Sequence, residues 1–192
     1  MKTRLFVTAM LFLFLFQLEA SAQTATVTRS LSAFDKIAIS GGFDAVILKE
    51  GSAESVTLEV KGIDADKIKT EVKDGTLEIG MKKGVYGNFK ATVTVTYRNI
   101  EEIANSGSSD VETQSVIKGD KFSYGGSGSG DFRGSFDVKK LEIAISGSSD
   151  MTLKGKAEKQ EIAISGSGDV KLNVSGPVRS MVSGSGDVSN NN

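Results

Sequence analysis

Apolar and polar residues alternate along most of this chain, and the alternation returns with a period. Leu141, Ile143 and Ile145 are separated by Glu142 and Ala144, as Ile162 and Ile164 are by Ala163. A period of two predicts strands with one buried face. Each of these strands runs into Ser-Gly-x-x-Asp, and an apolar residue follows the Asp. Alternation then resumes, with Leu153 and Leu172 inward and Thr152, Lys154, Lys171 and Asn173 outward. A polar return such as Lys154-Gly155-Lys156-Ala157-Glu158-Lys159 closes the unit. The unit is therefore strand, corner, strand, return.

The corner occurs at residues 106–110, 127–131, 146–150, 165–169 and 183–187, with Asp-to-Asp steps of 21, 19, 19 and 18 residues. A sixth copy lies upstream, where Ile37-Ala38-Ile39-Ser40-Gly41-Gly42-Phe43-Asp44 matches 143–150 and 162–169 through the flanks as well as the corner. A unit of about 19 residues cannot bury its apolar face alone. Stacked on its copies it can, each strand pairing in parallel with its equivalent about 4.8 Å away. The expected fold is all-β, a parallel β-helix. Regularly spaced short strands also fit a β-sandwich, but the corners and returns are too long for the tight turns of antiparallel hairpins.

Residues 45–105 are less regular than the repeats of 106–192. Strands are expected at 46–48, 55–60, 68–72, 76–80 and 91–97, with a hairpin at Asp74-Gly75, a short turn over 64–67 and a loop over 84–88. This half reads as early coils interrupted by antiparallel strands that cap the open end.

The first residues carry an address. Lys2 and Arg4 precede an apolar run from Leu5 to Leu18, and Ala20-Ser21-Ala22 has the small-x-small form of a cleavage site. The run is shorter than the roughly 20 residues that span a bilayer. A signal peptide over 1–22 and a single exported domain over 23–192 are expected, in the periplasm, at the cell surface or secreted, with no membrane span after cleavage. Cleavage removes Lys2, Arg4 and Glu19 from the 23 basic and 24 acidic side chains, leaving a net charge of −2 on 170 residues. That balance offers no electrostatic reason to bind nucleic acid or an anionic membrane.

With no His and no Cys, Ser-His-Asp and Cys-His catalysis and the common zinc sites are excluded. With no Trp, a Trp-lined sugar platform is excluded too.

The stretch Phe34-Asp35-Lys36-Ile37-Ala38-Ile39-Ser40-Gly41-Gly42-Phe43-Asp44-Ala45-Val46-Ile47, with the repeated Ser-Gly-Ser-Gly-Asp corners, closely resembles the putative auto-transporter adhesin, head GIN domain family over roughly residues 30–190. The resemblance implies a right-handed β-helix and an adhesin-like role in the envelope of Bacteroidetes-like bacteria. It brings no catalytic residues. The ending Ser189-Asn190-Asn191-Asn192 departs from the further apolar residues usual in the family, and self-association through the C-terminal edge is one expectation drawn from it.

Stacking would align Asp44, Asp110, Asp131, Asp150, Asp169 and Asp187, the candidate binding residues. Carboxylates about 5 Å apart repel by about 1 kcal/mol even in water-like surroundings. Hydrogen bonds from backbone N–H groups of each Asp's own corner are the expected relief. A Ca²⁺ ion shared between coils is the alternative, though the period is wrong for a calcium-binding nonapeptide, and no cofactor is assigned. Glycines 125–130 lack the following helix that a phosphate loop needs.

The expected function is a non-enzymatic envelope module presenting a ladder of Ser, Gly and Asp turns to a glycan or protein. The alternative is a carbohydrate-active hydrolase or lyase using the aligned carboxylates. Equivalent copies argue against the unequal pKa pair that hydrolysis requires, and no basic residue is expected beside the column.

Overall fold

The computed structural model describes residues 24–84 and 86–191. The expected signal peptide lies outside the described residues. In chain order the strands are β1 (Ala25–Ser30), β2 (Lys36–Ser40), β3 (Ala45–Glu50), β4 (Ser55–Lys61), β5 (Ile68–Lys73), β6 (Thr76–Met81) and β7 (Lys90–Tyr97). They continue as β8 (Glu102–Asn105), β9 (Val111–Gly126), β10 (Phe132–Ile145), β11 (Met151–Gly166), β12 (Val170–Ser175), β13 (Val178–Gly184) and β14 (Val188–Asn190). One 3-10 turn, Ala65–Lys67, interrupts them.

The strands wind into a β-solenoid of about 5 turns with parallel stacking about 19 residues apart. Before each corner lies one face, on which the ends of β9, β10 and β11 and then β13 stack in parallel. After each corner lies the other, formed by the starts of β9, β10 and β11, then β12 and β14. The register follows the repeat: Ile145 pairs with Ile164 and Ile164 with Val182. The interior columns are apolar, with Ile143 and Ile162 at 2% exposure. Four aromatic rings fill the middle coils. Tyr124 stacks on Phe132 with centroids 4.3 Å apart, and Phe122 lies 4.9 Å from Phe136.

The returns are not loops. Strand β11 runs unbroken from Met151 to Gly166, and the parallel ladder continues through Phe136↔Gly155, Asp137↔Lys156 and Val138↔Ala157. Ala157, expected in a solvated return, is 3% exposed. The ladder can take this bend because Gly155 has a φ of 119°, a left-handed conformation that costs glycine little.

Coil order does not follow chain order at the N-terminal end. Strands β2 and β3 are flanked on one side by β8 and β9 and on the other by β6 and β7. The chain builds one coil, moves outward to the cap, then returns to continue on the opposite side. Beyond β7 lie β4 and β1, both antiparallel; beyond β6 lies β5, joined to it by a hairpin at Asp74 and Gly75, both with positive φ. Arg29 laces the two edges of this cap together. From β1 its guanidinium donates to the carbonyls of Ala65 and Ile68 at 2.8 Å and to Thr70 Oγ1 at 2.6 Å. Such charge-assisted bonds relieve backbone acceptors that a bare end would strand.

Candidate functional site

The corners stack more tightly than any side chain would allow. A Cβ placed on Gly107, Gly128, Gly147, Gly166 or Gly184 would lie 1.8–2.2 Å from the carbonyl oxygen of the corresponding glycine one coil above. The first Gly of each corner is there for backbone approach. Ser109 and Ser149 are buried, and their hydroxyls donate to Gly41 O and Gly128 O, both at 3.2 Å.

Asp110, Asp131, Asp150, Asp169 and Asp187 stack in one column, whereas Asp44 falls one residue out of register with it, since Val46 pairs with Val111. The relief of the repulsion also differs from the expectation. Asp110 Oδ1 accepts the backbone N–H of Asp131 at 3.0 Å, Asp131 that of Asp150 at 3.1 Å, Asp150 that of Asp169 at 3.0 Å and Asp169 that of Asp187 at 3.0 Å. Each carboxylate binds the next coil rather than its own turn, because stacking brings that N–H nearer than its own corner does. Asp44 turns the other way and accepts the N–H of Ala91 at 2.6 Å. The column is thus a hydrogen-bonded zip between coils. Among the described residues no group of three or more His, Cys, Asp or Glu side chains is placed to hold a metal ion. Arg133 corrects a further expectation: its Nη2 lies 3.3 Å from Asp131 Oδ2, so one basic residue does stand beside the column.

Sequence reasoning did not single out the outer surface of the pre-corner face. Outward residues Ala38, Ala104, Gly125, Ala144 and Ala163 fall into one register column that ends at Met181, which is 66% exposed. From Ala104 to Met181 they floor a shallow trough whose two overlapping halves have volumes of about 550 and 650 Å³. Ser127, Ser146, Ser165 and Ser183 of the corners form one wall, and Glu102, Glu142, Glu161 and Arg179 the other. The repeated small residue at an outward position was the available signal.

The charged wall is an interlocked network. Lys140 Nζ pairs with Glu142 and lies 2.9 Å from Glu161, while Lys121 holds Glu142 at 2.6 Å and Lys159 holds Glu161 at 2.7 Å. Hydrogen bonds from Lys159 and then Lys140 pull the Glu161 carboxyl down to about 2. Because the folded value lies below the ordinary 4.5, the contribution is complete above that value and disappears as pH falls toward 2. A carboxyl-detected NMR titration should place the Glu161 midpoint near 2. Lys159→Ala should raise it toward the ordinary range; an unchanged midpoint would show that the network does not hold the charge.

These features define a β-solenoid whose described residues offer long, repetitive surfaces. The chain belongs to the putative auto-transporter adhesin, head GIN domain family, whose model matches residues 33–191. Three solved structures share the fold. A putative adhesin from Bacteroides fragilis is 18% identical with a TM-score of 0.60, and a putative lipid binding protein from Parabacteroides distasonis is 14% identical with a TM-score of 0.60. A putative adhesin from Parabacteroides distasonis is 18% identical with a TM-score of 0.58. Each alignment covers 88% of this chain and 97% of the other. No curated protein matches the sequence. No described helix is long and apolar enough to cross a membrane.

Proposed function

We propose that this chain is an exported envelope module that binds an extended ligand, a glycan or a protein segment, along the trough beside the corner ladder. The observation that carries the proposal is the trough itself. Its floor is small and apolar, one wall offers serine hydroxyls, and the same groups recur about every 4.8 Å. A linear partner laid along the axis meets equivalent contacts at each coil, so weak contacts add. The aspartates set the coil spacing through Oδ1, and their outer edge is the secondary contact. Membership of the adhesin family supports the reading. Self-association through β13 and β14 is a subordinate part of it, read by light scattering against concentration.

Residues 23–192 should bind one or more members of a panel of immobilised envelope polysaccharides and extended peptides. Ala144 is exposed, so Ala144→Trp should fill the trough and weaken that binding at least about tenfold while leaving the melting temperature unchanged. Binding that survives Ala144→Trp but is lost in Asp131→Asn or Asp150→Asn would move the contact to the corner ridge. Product release that depends on those aspartates would establish the hydrolase or lyase reading instead. The repeated carboxylate bond in four successive coils supports binding over catalysis, since it gives the aspartates matching surroundings.

A further inference from the structure

On the return side of the regular coils the chain stays in the ladder, as β10 and β11 run through it unbroken. In the N-terminal half it leaves the ladder. The connections β1–β2, β3–β4, β5–β6 and β7–β8 come together there as loops tied to one another through the backbone. Leu31 N–H donates to Glu54 O at 3.1 Å and Gly51 N–H to Tyr97 O at 2.8 Å. Asp35 N–H donates to Gly75 O at 3.1 Å, and Asp35 O accepts Glu101 N–H at 2.8 Å. Loops held on a rigid scaffold are where binding groups concentrate. Among these four lies a pocket of about 340 Å³ whose lining includes Phe34, Asp35, Glu54, Gly75, Arg98 and Asn99. None of them lines the trough.

The polar groups of this pocket are fixed in place but unused. The Glu54 side chain is only 9% exposed and accepts Arg98 Nε–H at 2.7 Å. That bond orients the guanidinium, whose side chain is 56% exposed, and leaves Nη1 and Nη2 with no ion-pair partner among the described residues. Asp35 is half-buried, and a Cβ on Gly75 would lie 3.5 Å from its Oδ1. Its carboxylate likewise makes no ion pair among the described residues. Acidic side chains outnumber basic ones along this edge, with Asp35, Glu54, Asp74, Glu101 and Glu102 against Lys36, Lys73 and Arg98. Lys36 is already taken by Glu102 at 3.9 Å. A partly buried carboxylate in such surroundings favours a cation brought from outside.

We propose that this pocket binds an α-ammonium group adjoining a carbonyl or carboxylate, the chemistry shared by a free amino acid and the first residue of a peptide. The ammonium goes to Asp35, drawn by the acidic surplus around it. The oxygen goes to the Nη groups of Arg98, whose planar fork suits a carbonyl or carboxylate. Glu54 holds Arg98 by Nε, so the guanidinium is not free to neutralise Asp35 and both charges stay available to a ligand. An anion without an ammonium would meet the acidic surplus and be repelled. A bare amine would leave Arg98 unused.

The test is amide NMR of residues 23–192 titrated with alanine, alanyl-alanine and N-acetyl-alanyl-alanine. Alanyl-alanine should shift the signals of Asp35, Gly75 and Asn99, and N-acetylation, which removes the ammonium, should abolish the shifts. Equal binding of alanine would assign the site to free amino acids, and tighter binding of the dipeptide would assign it to a peptide terminus; either upholds the proposal. Asp35→Asn should bind at least about tenfold more weakly and melt with the parent, because its carboxylate holds no internal ion pair. Asp74→Asn makes the same charge change on the neighbouring hairpin and should bind like the parent. No shift with alanine or the dipeptide, equal shifts with the acetylated form, undiminished binding by Asp35→Asn, or equal losses in the two variants would each overturn the proposal.

Discussion

Gly147→Ala should cost this protein about 3 kcal/mol or more, an unusually large penalty for adding one methyl group near the surface. The new Cβ would stand 2.2 Å from Gly128 O, 3.2 Å from its carbonyl carbon and 3.4 Å from its nitrogen. Those atoms are backbone and belong to the neighbouring corner, so no rotamer change relieves the contact. Opening the corner would stretch Ser148 N–H→Gly128 O, 3.1 Å, and Asp150 N–H→Asp131 Oδ1, 3.1 Å. For a domain of this size the loss corresponds to roughly 6–12 °C in melting temperature. Ser148→Ala, at the exposed next position, should stay within about 0.5 kcal/mol. Denaturant melts of the pair provide the measurement. If Gly147→Ala melts with its neighbour, the corners do not stack as described.

Phe132→Ala attacks the interior of the same stack and should cost about 3–5 kcal/mol. Phe132 is fully buried. Its ring is stacked on Tyr124 at 4.3 Å and lies 6.1 Å from Phe136 and 6.3 Å from Phe122, so removing it leaves a void walled by other rings. Val111 and Met151 flank it in the register column, and neither can swing across without abandoning its own coil. Phe132→Leu keeps most of the volume and should lose less, about 1–1.5 kcal/mol. Because a solenoid couples mainly nearest neighbours, the Ala variant should also broaden the unfolding transition. A sharp transition with little loss would mean the rings do not form one packed column.

Several residues show how far the chain could be read before its fold was seen. Ile145 and Ile164 stack because residues at the same place in equivalent units meet the same neighbours one coil away. Asp74-Gly75 forms its hairpin because the left-handed backbone there suits those residue types. Ala157 misled, since a run of Lys and Glu around it looks like a loop while Ala157 itself is buried between exposed neighbours. Ala144 was legible as outward-facing, yet nothing marked it as the floor of a trough until its equivalents were set side by side.

By itself the sequence determined the all-β class, the inward and outward sides of the strands, the register of the regular coils and the alignment of the aspartates. Each of these is local or repeats with the chain, so periodicity carries it. Tertiary structure alone decided that β2 and β3 sit between β6–β7 and β8–β9, that each Asp carboxylate serves the next coil's N–H, and that Arg29 bridges the cap. Those choices depend on which distant segments arrive at one another's edges, and a bond between nonrepeating segments leaves no period behind to announce it.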